Sequence, residues 1–112
     1  MPKIVSLNCW GGRIYEPLMA FLKSCQADVI CLQEVNRLVG PVPHHLMSAV
    51  RPDGYPEHLD LFREIKAMLC AYEAFYIPAA TGYVHDEKQH ANVQYGIAAF
   101  VRQSHPVIRS HA

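Results

Sequence analysis

The sequence predicts an α/β fold, because segments typical of strands and of a helix alternate along its N-terminal third. Residues 3–10 carry apolar, partly β-branched side chains and are followed by a glycine pair, as at the end of a strand. Residues 29–32 are consecutive apolar positions, too few for a helix and typical of a strand covered on both faces. A helix pattern separates the two, which makes a strand–helix–strand unit.

The connecting helix is predicted from Pro17, a residue favoured in the first helical turn. Its apolar side chains recur at the spacing of one helix face: Leu18, Phe21, Leu22 and Cys25. Such a crossover is nearly always right-handed and joins parallel strands, so the carboxyl ends of both strands are expected at the same edge of the sheet.

Polar residues stand where the two strands end: Asn8 after the first and Glu34 after the second. Ligands bind at the carboxyl ends of strands in open α/β sheets, although a solvated Glu at a strand end is the plain alternative. A carboxylate beside a neutral amide suits a hard cation such as Mg²⁺, which takes oxygen ligands and completes its shell with water and substrate phosphate. Asn8 and Glu34 are therefore predicted to face one site.

These two motifs, at residues 3–11 and 27–35, resemble in order and spacing the opening of the endonuclease/exonuclease/phosphatase superfamily. That superfamily includes deoxyribonuclease I-like nucleases, abasic-site endonucleases, inositol-phosphate phosphatases and neutral sphingomyelinases. By this resemblance, Asn8 corresponds to an active-site asparagine and Glu34 to the metal-binding glutamate, with Mg²⁺, or alternatively Mn²⁺, as cofactor. The implied fold is half of a two-sheet α/β sandwich (α+β by some definitions), a mixed sheet with outer helices.

Downstream, the Pro- and Gly-rich residues 36–56 predict a long loop, and residues 57–72 predict a second helix. The apolar stripe of that helix is predicted to enter the core: Leu59, Phe62, Ile65 or Lys66, Leu69 and Tyr72. Residues 74–78 and 95–102 predict two further strands that pair antiparallel. Residues 79–94 between them predict a polar loop that faces substrate.

Several histidines fall in these loops. His44 and His45 lack companions at the spacing of a metal site, so exposed loop positions are expected for them. His85 next to Asp86 suggests a general base with its carboxylate, but adjacent loop residues rarely point at each other, and His90 gives no stronger signal. No catalytic role is assigned to these residues.

Composition places the chain among ordinary globular domains: 112 residues, 51% hydrophobic, 18% charged and a formal net charge of zero. Without an overall field to attract nucleic acid, any recognition of phosphate must be local. Cysteines without a C-x-x-C pair are expected to be reduced. No apolar run approaches a membrane span and no export leader is seen, so a cytoplasmic location is expected.

Members of the resembled superfamily are considerably longer and carry a later Asp-x-Asn motif and an Asp-His pair, neither of which occurs in this sequence. Residues 1–112 are therefore predicted to be the N-terminal portion of one such domain, without its C-terminal half. The expected function is part of a Mg²⁺-dependent phosphoesterase that is inactive alone and holds its metal weakly; the alternative is a non-catalytic binding or assembly module. The expected substrate is a phosphate ester, which is a nucleic acid, an inositol phosphate or a phospholipid. The uncovered sheet face would bind a second copy or the missing half.

Overall fold

The computed structural model describes residues 2–39, 48–50, 56–85 and 90–104 of the chain. The elements in chain order are β1 (Ile4–Asn8), a 3-10 turn (Trp10–Gly12), α1 (Tyr15–Ser24), β2 (Val29–Val39), β3 (Ser48–Val50), β4 (Pro56–His58), α2 (Leu61–Met68), β5 (Tyr72–His85) and β6 (His90–Arg102). The fold is α/β, as predicted from the sequence.

The main sheet has four strands in the order β1-β2-β6-β5, and β3 and β4 form a separate antiparallel pair. Strands β1 and β2 are parallel neighbours, which confirms the predicted crossover. Strand β6 pairs antiparallel with both β2 and β5. The sheet is therefore mixed, and it is open at β1 and β5.

One face of the sheet packs against both helices and forms the core. The strands contribute Ile30, Leu32, Ala98 and Phe100. Helix α1 contributes Leu18 and Leu22, and helix α2 contributes Leu61, Phe62 and Ile65. All of these side chains are buried, so the helices lie on the same side of the sheet.

The opposite face of the sheet carries apolar side chains that neither described helix covers. Ile4 is 66% exposed, Ile97 is 47% exposed, and Ile77, the register partner of Ile97, is 43% exposed. An open mixed sheet with helices on one face only is the architecture expected for half of a two-sheet sandwich.

Helix α1 begins at Tyr15, two residues before the predicted start at Pro17. A proline in the first turn is tolerated because the amide groups there have no partner within the helix. The predicted apolar face is buried at Leu18, Leu22 and Cys25, whereas Phe21 is 44% exposed.

Helix α2 is much shorter than the predicted helix over residues 57–72. Residues 56–58 pair with 48–50 as a strand, and Tyr72 pairs with Arg102 in the main sheet. Tertiary pairing thus overrides helical periodicity at both ends. The apolar stripe is nevertheless in the core as predicted, since Phe62, Ile65 and Leu69 are all buried.

Parts of both predicted loops are strand instead: residues 36–39, 48–50 and 56 of the first, and residues 79–85 and 90–94 of the second. Strand β2 continues to Val39 because its residues after Glu34 pair with β6, and β5 and β6 form a long hairpin through most of residues 79–94. The mixed small, apolar and polar residues of 79–85 and 90–94 give no clear strand pattern, but a two-stranded ribbon forms through its backbone hydrogen bonds and needs no continuous apolar pattern. The predicted substrate-facing loop at 79–94 is therefore wrong for 79–85 and 90–94.

Candidate active site on two parallel strands

Asn8 is the last residue of β1, and its side-chain amide has a defined orientation. Its Oδ1 accepts a hydrogen bond from the backbone N–H of Trp10 at 2.8 Å. Since only the oxygen of the amide accepts a hydrogen bond, this bond determines how the side-chain amide of Asn8 is oriented. The Nδ2 donors of Asn8 therefore point away from the Trp10 backbone, and the residue is exposed.

Glu34 lies at a β-bulge in the middle of β2. The register with β6 shifts between Leu32 and Val35, so that Gln33 and Glu34 oppose the single residue Ile97. Glu34 has φ of 55°, in the left-handed region that non-glycine residues rarely adopt. The bulge leaves the Glu34 side chain exposed in an otherwise half-buried strand.

A shallow recess of about 220 Å³ lies beside Glu34. The other residues that line it are Ala79, Ala80, Tyr95, Gly96 and Ile97. Ile97 alternates with the buried Ala98, so it lies on the sheet face opposite the helices, and the Glu34 recess opens on that face.

Asn8 and Glu34 occupy neighbouring positions of adjacent strands. Asn8 is the register partner of Gln33, the residue before Glu34, and the N–H of Cys9 donates to the Gln33 carbonyl at 2.8 Å. Gln33 Nε2 also donates to Ser6 Oγ at 3.1 Å, which ties the two strands together on the exposed face. The parallel register therefore brings the two predicted site residues next to each other where β1 ends. The prediction that Glu34 also ends its strand is wrong, because β2 continues past it to Val39 by pairing with β6.

The buried thiol of Cys9, the residue after Asn8, is expected to make the free energy of unfolding depend on pH. Burial, followed by the negative charge of Glu34, raises the pKa of Cys9 from 9.0 to about 12. Between these values the unfolded chain releases the thiol proton while the folded chain keeps it. Because the unfolded state then binds fewer protons, the free energy of unfolding is expected to fall as pH rises from 9 to 12.

Urea unfolding across this alkaline range measures the effect. Cys9→Ala should flatten the pH slope of the free energy of unfolding, while Cys70→Ala, at an exposed cysteine, should keep the wild-type slope. Some slope should persist in both variants, because burial also raises the pKa of Tyr76 to about 12. Equal slopes for Cys9→Ala and the wild type would contradict this account.

Of the histidines considered in the sequence, only the backbone positions of His85 and His90 are described. His85 and His90 are register partners at the end of the β5–β6 hairpin. His44, His45 and Asp86 lie outside the described residues. Among the side chains that the structure describes, no three of His, Cys, Asp and Glu come together as a metal site.

A cluster that the sequence did not predict lies near the 3-10 turn. His58 Nδ1 is 3.1 Å from Glu64 Oε2, and the Tyr15 hydroxyl donates to Glu64 Oε1 at 3.1 Å. The rings of Tyr15 and His58 stack with centroids 3.9 Å apart. The carboxylate places the His58 proton on Nδ1 and orients the ring. These residues come from three separate elements, so no local sequence pattern predicts the cluster.

A second recess, apolar and of about 300 Å³, also adjoins Asn8. It is lined by Leu7, Asn8, Cys9, Trp10, Ile14, Pro17, Leu18 and Phe21. Trp10, which is 38% exposed, stacks under the Arg13 guanidinium at 4.6 Å. The helix pattern alone did not predict this recess, because it arises where α1 meets the edge strand β1.

The model of the Endonuclease/Exonuclease/phosphatase family matches residues 5–108. The chain belongs to this family. No curated protein and no solved structure matches it.

Membership in the endonuclease/exonuclease/phosphatase family confirms the resemblance carried by the two N-terminal motifs. The family comprises phosphoesterases and nucleases that generally depend on a metal ion. Phosphate esters are thus the class of substrate with which this fold is associated. No helix in the described part of the chain has the length and apolar character needed to cross a membrane.

Proposed function

We propose that this chain supplies the metal-binding side of a phosphoesterase active site, as the N-terminal portion of one endonuclease/exonuclease/phosphatase domain. Glu34 would hold the metal ion and Asn8 would bind and orient the substrate phosphate. The observation that carries the proposal is the parallel register that pairs Asn8 with Gln33, next to a Glu34 exposed by the bulge.

The hydrogen bonding of Asn8 supports a role toward phosphate. Its Oδ1 is engaged by the Trp10 N–H, so the group that it presents outward is an N–H donor. A donor suits a phosphate oxygen, whereas a metal ion requires the oxygen of the amide. Asn8 therefore binds substrate in this proposal, and the metal is left to Glu34.

The chemistry of Glu34 fits Mg²⁺. Mg²⁺ is commonly held by one or two carboxylates together with water and substrate phosphate, and Glu34 is an exposed carboxylate beside an open recess. When bound, the ion supplies Lewis-acid stabilisation of charge on phosphoryl oxygens. A single carboxylate without substrate holds Mg²⁺ weakly, and Mn²⁺ would use the same oxygen ligands.

A second candidate function is a non-catalytic binding or assembly module, favoured by the uncovered sheet face. The exposed Ile4, Ile77 and Ile97 form an apolar surface that a second copy of the chain or the C-terminal half of the domain would cover. The two functions are separated by whether coding sequence for Asp-x-Asn and Asp-His motifs follows in the same reading frame or genome neighbourhood. Cytoplasmic location and the identity of the phosphate ester stay predictions.

The test is a hydrolysis assay of the purified chain with Mg²⁺ or Mn²⁺. Plasmid DNA, an abasic oligonucleotide and a chromogenic phosphodiester serve as substrates. We expect no turnover above background, because a positioned general acid–base alone normally contributes about 10²–10⁴-fold in rate and the family's Asp-His pair is absent from this sequence. Turnover that Glu34→Ala abolishes would contradict the expected inactivity while supporting the role of Glu34.

Calorimetric titration in the same buffers measures metal binding directly, with Glu16→Gln as the matched control. Glu34→Gln should abolish the weak Mg²⁺ or Mn²⁺ signal, whereas Glu16→Gln, in the first turn of α1, should leave it unchanged. Tight Zn²⁺ binding that is lost only in a His85→Ala/His90→Ala variant would replace the phosphoesterase proposal with a metal-binding module, since imidazole favours such ions.

A further inference from the structure

A basic cavity of about 290 Å³ lies between α2 and the part of β2 beyond the bulge. Its lining residues, which define the cavity from here on, are Arg37, Leu38, Asp60, Phe62, Arg63 and Lys66. Phe62 belongs to the core cluster under the helices. The cavity is therefore on the helix-covered face of the sheet, whereas the Glu34 recess opens on the other face.

The Arg37 guanidinium at this cavity is held in place by its neighbours. Its Nε donates to Gln94 Oε1 at 3.0 Å, and its Nη2 donates to the same oxygen. The group lies 4.3 Å from the centroid of the Tyr76 ring, which is itself anchored by a hydrogen bond of 2.6 Å to the Val35 carbonyl. Within the described part of the chain, Nη1 of Arg37 donates to no protein acceptor. Arg37 thus presents a rigid cationic donor at the cavity.

Two further cations reach the same cavity from α2. Arg63 and Lys66 are three positions apart, so they lie on one side of the helix. Neither makes a hydrogen bond or an ion pair with any other residue that the structure describes. Asp60 is the one acid in the cavity lining, and its Oδ1 accepts the Leu38 N–H at 3.2 Å. Three cations against one acid leave the cavity positive in a chain whose formal net charge is zero.

We propose that the basic cavity is a binding site for a phosphate group, separate from the candidate active site. Arginine guanidinium groups match phosphate through charge-assisted hydrogen bonds, and the three cations that line this cavity would attract one phosphate together. A phosphate bound there lies across the sheet from Glu34, so it is not the group hydrolysed at the candidate active site. The cavity instead binds a separate phosphate-bearing ligand.

The test is a titration with inorganic phosphate and pyrophosphate, followed by NMR shifts or calorimetry, with EDTA present so that no metal at Glu34 takes part. We expect saturable binding that Arg63→Gln and Lys66→Gln each weaken by about tenfold, as for the loss of one charge-assisted contact. Arg37→Lys, which keeps the charge and loses the guanidinium group that Gln94 and Tyr76 hold at the cavity, should also weaken binding. Lys23→Gln in the last turn of α1 is the matched control and should stay within about twofold of wild type.

The outcomes separate the alternatives. Absence of saturable binding, or equal weakening by Arg63→Gln and Lys23→Gln, would show that the three cations only balance the buried Asp60 and would overturn the proposal. Thermal unfolding of each variant verifies that it is folded. Glu34→Gln should bind phosphate like the wild type; weakening by Glu34→Gln alone would mean that phosphate binds at the candidate active site instead. Failure of the proposed phosphoesterase role would leave this result unchanged.

Discussion

Phe100→Ala is expected to lower the free energy of unfolding by about 3–5 kcal/mol, the usual cost of removing a fully buried phenyl ring. Phe100 is 0% exposed and lies in the central strand β6, opposite Ile30 of β2 and Ala74 of β5. Its ring centroid is 5.8 Å from that of Phe62 on α2, so it joins the sheet to the helix layer. Truncation leaves a cavity that neither layer fills without moving.

Urea unfolding of the whole chain measures this loss, and Phe21→Ala is the matched control. Phe21 is the same residue type but 44% exposed on α1, so its truncation should cost about 1 kcal/mol or less. Equal destabilisation by the two substitutions would show that the core is not centred on β6. A change in the dependence on urea concentration would indicate a change in the unfolded or native ensemble instead.

Gly96→Ala is expected to lower the free energy of unfolding by about 3 kcal/mol and to displace the Glu34 bulge. A Cβ on Gly96 would lie 2.2 Å from the Ile77 carbonyl oxygen and 2.9 Å from Pro78 Cα, both backbone atoms that do not rotate aside. Gly96 pairs with Pro78 on one side and Val35 on the other, next to the register shifts in both neighbouring strands. The glycine is therefore required by close approach of the backbone.

Gly82→Ala is the control, because the three atoms nearest to its Cβ would all belong to the Tyr95 side chain, the first at 2.7 Å. A side chain moves aside at lower cost than a strand backbone, so Gly82→Ala should cost clearly less than Gly96→Ala. Urea unfolding gives the two free energies, and calorimetric titration with Mn²⁺ reports whether the Glu34 site has changed. A Gly96→Ala variant as stable as the wild type would show that β5 and β6 separate easily at this point.

The N-terminal half of the fold was predictable because its determinants are local. A short apolar run, a helix with one apolar face and a second apolar run indicate β1, α1 and the start of β2, and right-handed crossover then requires parallel strands. Asn8 and Glu34 were found by the same reasoning, since both are polar residues placed where an apolar strand pattern stops.

The errors fall where distant pairing decides the structure. Residues 56–58 belong to a helix pattern by periodicity but pair with 48–50 as a strand, and residues 79–85 and 90–94 give no clear strand pattern but form a hairpin. The basic cavity is likewise lined by residues of β2 and α2 that are far apart in sequence. Such contacts depend on which segments meet in space, and a local pattern does not contain that information.

By itself the sequence determined the fold class, the family and the positions of two polar residues after apolar runs, because hydrophobic patterning and motif spacing are properties of the chain alone. Only the tertiary structure decided how those residues are presented. The Trp10 N–H turns the amide of Asn8, and the shifted pairing of β2 with β6 forces Glu34 into a left-handed conformation at an exposed bulge. The physical reason is that hydrogen-bond geometry and strand register are set by neighbours in space, and those neighbours are assembled only when the sheet forms.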